Sequence, residues 1–434
     1  MYSALLLSCL VLMTALFKER CLRSGKVHIN PIFGLLVGIS FYVLLPCSVI
    51  AYFSNSLANI TVYEDYLTLR NATNVMAFTF VLLIALWVGT RIAKPKASHP
   101  KRFRGLHAVP HQIVGSNAGA YLMFGSYALF LALAFSIRGF LFSGYDLSAL
   151  QDDSVWSARG AMSSCYSLIY VSICATVLRS RSRLPTAMIW TMTLIFLSAS
   201  VTLLSIGARL YVAMALLSML ALHSLLRGGI PATRLLFYLL AAVGAFGSIG
   251  VLRSASLTGL GSVLLNVALE PLLTSISLFT LLTDNSTILI GKFYLFPADF
   301  QAIIPSFLFP AKAALFDRLN DYGYVFEAPV GGYHLYFSAL INFGLLGSVL
   351  LAVPCGYALA RLSPNTRSLK RSTALTSIFL TGALAFTLFR DPFFISVVKN
   401  VFVMAILVPI LITSITLYGR NKVRLRDAAL GELV

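Results

Sequence analysis

Runs of about twenty apolar residues recur along this chain, and nothing else in the sequence constrains its fold as strongly. A helix needs about 20 residues to cross the hydrocarbon core of a bilayer, where every backbone polar group must be bonded internally. Eleven runs reach that length, near 2–17, 32–53, 74–90, 117–137, 161–178, 185–204, 209–226, 235–252, 333–360, 373–389 and 400–418. The stretch from Leu184 to Leu226 holds two of them, divided by the polar break Ser205-Ile206-Gly207-Ala208-Arg209. Barrel strands would instead alternate over about ten residues. Composition agrees, with 58% of the 434 residues hydrophobic and 11% charged, against about 25% charged in soluble domains. So few charges cannot cover a water-facing surface, which excludes a soluble enzyme, a disordered chain and a collagen-like repeat. The expected fold is an all-α polytopic membrane protein, a single integral membrane domain over 1–434.

The net charge of +18 raises nucleic acid as a partner, but the charges sit in the wrong places for it. Six connections are basic: Lys18 to Lys26, Arg91 to Arg104, Arg179 to Arg183, Arg227 to Arg234, Arg361 to Arg371, and the tail from Arg420. They hold 23 of the 33 Lys and Arg with only Glu19, Asp427 and Glu432 among the 15 acids. Connections that are not basic alternate with them. That is the pattern of the positive-inside rule, so the excess positive charge is topological and no nucleic acid is expected. Eleven helices follow, with the amino terminus outside and the carboxyl terminus in the cytoplasm.

Two segments test that count. The first run has no Lys or Arg before its apolar core and no clear small-residue cleavage site, so it reads as a span rather than a signal peptide. The stretch 260–282 is apolar enough to span, yet one more crossing would put Arg367, Lys370, Arg371 and the basic tail on the wrong side. It reads as a re-entrant or interface-lying helix broken near Glu270-Pro271, within a long outer loop over 253–332. The six cysteines show no disulfide framework and no metal spacing, and there is no phosphate loop, zinc-protease helix or nucleophile elbow. No metal or cofactor is expected.

Outer loops are short except for 54–73, 138–160 and the 253–332 stretch; a loop of that last length is usually functional. Its many Phe and Tyr residues beside charged groups suit either carbohydrate or an interfacial aromatic belt. Ten basic residues persist outside against the positive-inside bias: Arg70, Arg138, Arg159, Arg209, Arg253, Lys292, Lys312, Arg318, Arg390 and Lys399. Arg209, Arg253, Arg390 and Lys399 fall at the outer ends of expected helices, where they either snorkel or pair, as Arg390 with Asp391, or hold an anion. Guanidinium forks bind phosphate oxygens bidentately, so several converging arginines would suit a pyrophosphate. His334 is the only histidine expected outside and titrates in the range of a general base. Asp299, Glu327 and Asp391 are rival carboxylates for that role.

Three stretches together resemble the O-antigen polymerase (Wzy-type) family of membrane glycosyltransferases. LLSIGARLYVAMALL (203–217) is similar to a small-residue turn in which one Arg opens a helix. The stretch 297–347, PADFQAIIPSFLFPAKAALFDRLNDYGYVFEAPVGGYHLYFSALINFGLLG, looks like the family's long periplasmic loop running into a helix. LFRDPFFISVVKN (388–400) resembles its Arg-acidic turn before the last helix. Residues 1–200 match in hydropathy alone. The resemblance implies an all-helical fold of the GT-C type, in the bacterial inner membrane with its active site facing the periplasm. It implies polymerisation of oligosaccharide repeat units carried on undecaprenyl pyrophosphate, without metal or nucleotide sugar, alongside a chain-length regulator. By position it makes Arg209, Arg390 and His334 the catalytic candidates. Arg253, Lys312, Arg318, Glu327 and Asp391 become candidates for holding pyrophosphate or glycan. An O-antigen ligase of the same superfamily, a lipid-linked oligosaccharide flippase or other transporter, and a structural membrane subunit are the alternatives; the long aromatic loop argues against the last. A ligase would carry a more ligase-like His-Asn element before the Gly-rich helix, and a transporter would show repeated halves.

Overall fold

A computed structural model describes residues 1–52, 65–93, 118–141, 153–180, 184–253, 260–284, 291, 333–363, 371–391, 402–412 and 414–415. Helix dominates them. In chain order the helices are α1 (Tyr2–Arg20), α2 (Pro31–Ile39), α3 (Leu45–Tyr52), α4 (Leu69–Ile92), α5 (Ala118–Ser136), α6 (Asp153–Ser180) and α7 (Thr186–Ser205). They continue with α8 (Arg209–Arg227), α9 (Ala232–Arg253), α10 (Leu260–Asp284), α11 (Leu335–Leu362), α12 (Arg371–Ala385) and the short α13 (Thr387–Arg390). Among the described residues, eight helical stretches are long and apolar enough to cross a membrane. They are α1, the α2–α3 pair (Pro31–Tyr52), α4, α5, Ala158–Leu178 of α6, α7, α8 and α11. Each falls on an apolar run read from the sequence. The chain is therefore an all-α polytopic membrane protein. Three further runs coincide with shorter described apolar helices, Ala232–Ala242, Thr373–Ala385 and Phe402–Ile412. Large side chains such as Tyr121, Phe135, Trp190, Phe237 and Leu350 stay exposed along these helices; lipid covers such faces, whereas water would drive them to aggregate.

The chain forms two compact units. The first takes Met1–Pro95, His223–Ser363 and Thr381–Asn400, and the second takes Lys96–Leu222, Pro364–Leu380 and Val401–Val434. In the first, close backbone approach does the packing. A Cβ on Gly89 would run into the Val353 carbonyl, and one on Gly356 into that of Leu86, so α4 and α11 touch through glycines. Likewise Gly34 and Gly38, one helical turn apart on α2, lie against the Thr381 and Leu384 carbonyls and the Phe389 ring. Small residues at such spacing let apolar helices approach in a bilayer, where dispersion and not water release drives association. Asn30 caps α2 by accepting the Phe33 N–H at 3.0 Å ahead of Pro31. A small antiparallel sheet joins Leu22–Arg23 (β1), Lys26–Val27 (β2) and Ile230–Pro231 (β3) in that order.

Helix α10 departs from the sequence expectation. It runs without interruption through Pro271, where a break was expected. Burial holds the helix together after the proline: Leu272, Ile276, Phe279 and Leu281 anchor that half in the core. Its hydroxyls are satisfied by back-bonding within their own turns, Thr274 to the Glu270 carbonyl (2.9 Å), Ser275 to Pro271 (2.8 Å) and Thr283 to Phe279 (2.9 Å).

In the second unit α5 lies along α6, with Gly119 against the Thr176 hydroxyl and the Ser172 carbonyl. Tyr166 and Ser200 share a buried hydroxyl–hydroxyl bond of 2.7 Å between α6 and α7, and the Tyr170 ring stacks on Phe379 at 5.5 Å. Between α7 and α8 the chain turns through Gly207 at φ +82°, a left-handed conformation that glycine alone takes without cost.

Candidate functional site

The clearest concentration of polar chemistry in the first unit gathers where α2, α10, α11 and α13 meet. Its origin is Pro46. In regular α-helical register the N–H of residue 46 would satisfy the Tyr42 carbonyl, but proline has none. The backbone between α2 and α3 widens into a π-helical turn at Ser40–Leu44, with the Leu45 N–H reaching back to the Ser40 carbonyl. Such turns appear mostly inside α-helices and often at functional sites. The Tyr42 carbonyl is left to find partners elsewhere. It takes two, the His334 Nε2–H at 3.1 Å and the Ser275 hydroxyl at 3.1 Å.

His334 is fully buried and has no nitrogen to spare. It is the N-cap of α11, its Nδ1 accepting the Tyr336 N–H at 3.1 Å. Accepting there requires the lone pair on Nδ1, so the ring is neutral with its proton on Nε2, directed at the Tyr42 carbonyl. Its backbone N–H donates to the Ser277 hydroxyl at 3.1 Å, and its ring meets Tyr336 and Phe389 edge-on. Sequence reasoning expects His334 to take a proton from a sugar hydroxyl; here both ring nitrogens face backbone groups, so that role would require one of these bonds to open, and as it stands the residue pins the start of α11.

That pin extends to Arg390. The Tyr333 N–H donates to the Arg390 carbonyl at 2.9 Å, so the residue just before His334 fixes the main chain of the arginine. The side chain of Arg390 then pairs with Glu270, Nε to Oε1 at 3.2 Å. The two side chains are 17% and 28% exposed, so the pair lies at the rim of the packed core and within reach of a ligand. Sequence offered the neighbouring Asp391 as one partner for Arg390, beside snorkelling or an anion, and gave no sign of Glu270. Asp391 follows α13, with its backbone N–H on the Thr387 carbonyl at 2.9 Å.

Behind the pair lies Tyr42, fully buried, its ring stacked on Phe389 at 5.8 Å with 7° between the planes. Glu270, Arg390 and Asp391 all lie within electrostatic reach of its phenol, yet the hydroxyl has no hydrogen-bond partner. Further along α11, the buried Ser338 hydroxyl and Asn342 Oδ1 are also unpartnered. Tyr42 did not stand out from sequence, and Glu270 did so only as a break in an apolar run, not as a partner of Arg390. The readable signal for Tyr42 was a proline four residues on, and for Glu270 a lone carboxylate in an apolar run.

Arg209 belongs to the second unit and opens α8, directly after the Gly207 turn. A cation at a helix N-terminus opposes the helix dipole, so the position is costly unless an anion shares it. Arg159 of α6 donates to the Gly207 carbonyl at 3.2 Å and so steadies the turn that presents Arg209. Arg253 is the last residue of α9. Lys312, Arg318 and Glu327 lie outside the described residues, as does the loop stretch around them. Among the described residues no three His, Cys, Asp or Glu side chains come together around a common centre. Compared with models of protein families, with curated proteins and with solved structures, the chain matches none.

Proposed function

We propose that this protein is a membrane glycosyltransferase that joins undecaprenyl-pyrophosphate-linked oligosaccharide repeat units into a surface polysaccharide, working at the periplasmic face of a bacterial inner membrane. The observation that carries the reading is the Arg390–Glu270 pair. It joins two independent sequence signals, the Arg-acidic turn at 388–400 and the long outer segment from residue 253, in one partly open cluster of the first unit. In this reading eleven helices span the bilayer in a GT-C-type arrangement, and the basic connections lie in the cytoplasm.

The chemistry follows from the leaving group. Release of a glycan from a lipid pyrophosphate develops negative charge on phosphate oxygens, and preorganised cations stabilise that charge most where water is scarce. Arg390 of the first unit and, separately, Arg209 of the second are the cations we assign to this role; the Tyr333 N–H bonds the Arg390 carbonyl, and the Arg159 guanidinium bonds the Gly207 carbonyl ahead of Arg209. His334 is a positioning residue that holds Arg390 through Tyr333.

The test is a surface-polysaccharide gel from a deletion strain complemented with wild type, Arg209→Ala or Arg390→Ala. The expected result is a ladder with wild type, and a single repeat unit on the lipid core with either variant. A drop of about 10²–10³ in rate is the scale for losing one donor to a developing oxyanion. Long polymer stranded on the carrier lipid would instead mean a ligase. An unchanged ladder in the deletion strain would end the glycan reading.

A further inference from the structure

Tyr42 carries a buried hydroxyl with nothing to bond. Leaving such a group unsatisfied is costly, and native proteins rarely do so without a reason. The fold goes to some length to put it there: the π-helical turn sets the residue's backbone, His334 and Ser275 hold its carbonyl, and Phe389 holds its ring. The residue after Phe389 is Arg390, whose guanidinium is paired with the Glu270 carboxylate. An orphan donor, a cation and a movable counter-ion are thereby assembled in one place.

We propose that Tyr42, Glu270 and Arg390 form a binding site for a phosphate-bearing anion, which displaces the Glu270 carboxylate from Arg390 and accepts a hydrogen bond from the Tyr42 phenol. The proposal deepens the glycosyltransferase reading and rests on it for the identity of the natural ligand, a pyrophosphate-linked lipid. The exchange is electrostatically balanced. Glu270 neutralises Arg390 before the anion arrives, and a pyrophosphate brings more charge and more acceptor oxygens than one carboxylate, enough to engage the guanidinium fork bidentately. Glu270 sits on α10 with 28% of its side chain exposed, so it can swing towards solvent without unfolding the helix. The Tyr42 hydroxyl then satisfies in the complex the bond it lacks in the free protein, so the unfavourable burial in one state becomes affinity in the other.

Purified full-length protein in nanodiscs tests this, with inorganic pyrophosphate, undecaprenyl pyrophosphate and phosphatidylglycerol as separate probes. Tyr42→Phe removes only the hydroxyl. Its expected behaviour is an unchanged or slightly raised melting temperature, because an unsatisfied group is gone, with pyrophosphate affinity at least about tenfold weaker. Glu270→Gln removes the competing charge, and its expected affinity is equal to or several-fold tighter than wild type. Tighter binding of the undecaprenyl ester than of inorganic pyrophosphate identifies the lipid as the source of the anion, and the reverse order identifies the free ion. Response to phosphatidylglycerol alone would overturn the site as one for pyrophosphate. A Tyr42→Phe variant that melts lower and binds normally would overturn the role of the phenol. A Glu270→Gln variant as weak as Arg390→Ala would show a carboxylate that positions the arginine and does not yield to the anion. The two levels separate cleanly: if Arg390→Ala abolishes the polysaccharide ladder while Tyr42→Phe binds pyrophosphate as wild type, this inference falls alone. If Arg390→Ala leaves the ladder intact, the glycosyltransferase site falls with it.

Discussion

Replacing His334 separates a catalytic histidine from a structural one. Three interactions are lost in His334→Ala. The N-cap bond to the Tyr336 N–H is worth about 1 kcal/mol. The bond from Nε2 to the Tyr42 carbonyl contributes about 1 kcal/mol net. The ring's edge-on contacts with Tyr336 and Phe389 add about 1 kcal/mol beyond simple burial. The expected loss is therefore about 3 kcal/mol.

Two isosteres divide that loss. In His334→Asn the amide oxygen stands near the place of Nδ1 and keeps the cap, while the Tyr42 carbonyl loses its donor. In His334→Gln the amide nitrogen reaches the position of Nε2 and keeps the Tyr42 bond, while the cap is lost. Each is expected to cost about 1–2 kcal/mol, less than alanine. The assay is thermal unfolding in a mild detergent beside polymer synthesis normalised to folded protein. A positioning histidine predicts that activity per folded molecule changes little in the two isosteres and falls in alanine, where Arg390 loses its anchor. A general base predicts a loss of about 10²–10⁴ in all three. An asparagine variant that melts like wild type and polymerises about a hundredfold slower would refute the structural assignment.

Further outcomes follow from the same contacts. Gly34→Ala drives a methyl into the Thr381 carbonyl and is expected to lose about 1–3 kcal/mol. Gly125→Ala on α5 meets nothing within 4 Å and is expected to gain about 1 kcal/mol from helix propensity; thermal melts of the pair measure both. Pro46→Ala restores an N–H within reach of the Tyr42 carbonyl, so the π-helical turn is expected to relax towards regular helix. Polymer synthesis should then fall more than the melting temperature does. His28 lies beside β2, where partial burial and then the neighbouring Arg23 and Lys26 hold its imidazole below the usual histidine range. The unfolded chain then binds more protons than the folded one as pH falls through about 6.5. Stability present above that pH is lost on acidification, and His28→Gln should flatten the dependence of melting temperature on pH between about 7 and 5.5.

How much of this was legible in the sequence depends on the range of the physics involved. The solvent demands spanning helices, so the runs at 2–17, 32–53 and 333–360 announce themselves by length alone, and the structure places helices on them. Arg209 at the head of α8 was equally readable, since the Gly207 break and the apolar run after it are both local. Glu270 was visible as an anomaly but not as a partner, because nothing in one sequence ties residue 270 to residue 390. Pro271 misled for a related reason. Its local tendency is to break a helix, and what outweighs it is burial of Leu272, Ile276 and Phe279 against other elements. The setting of His334 was not legible either, because a histidine's chemistry depends on what its two nitrogens face, and the carbonyl facing Nε2 lies 292 residues away.

That distant carbonyl shows how the site came to be where it is. A proline in an apolar helix is usually described by what it breaks. Pro46 is better described by what it leaves over, a backbone acceptor in a setting where water cannot satisfy it. The unpaired Tyr42 carbonyl needs a donor, and supplying one with His334 ties the entry of α11 to the α2–α3 turn. Tyr333 then brings the Arg390 main chain to the same point, and Arg390 draws Glu270 from α10. Each step satisfies a group that the previous one left open, and the Tyr42 hydroxyl ends without a partner; in the proposal above, it and the Arg390–Glu270 pair receive the anion. The Pro46→Ala chain could satisfy the Tyr42 carbonyl within its own helix and would have no physical need for His334 at the head of α11. The position of Pro46 four residues after Tyr42 is thus a sequence-level cause of the site, although the site itself is assembled from residues as distant along the chain as Glu270, His334 and Arg390.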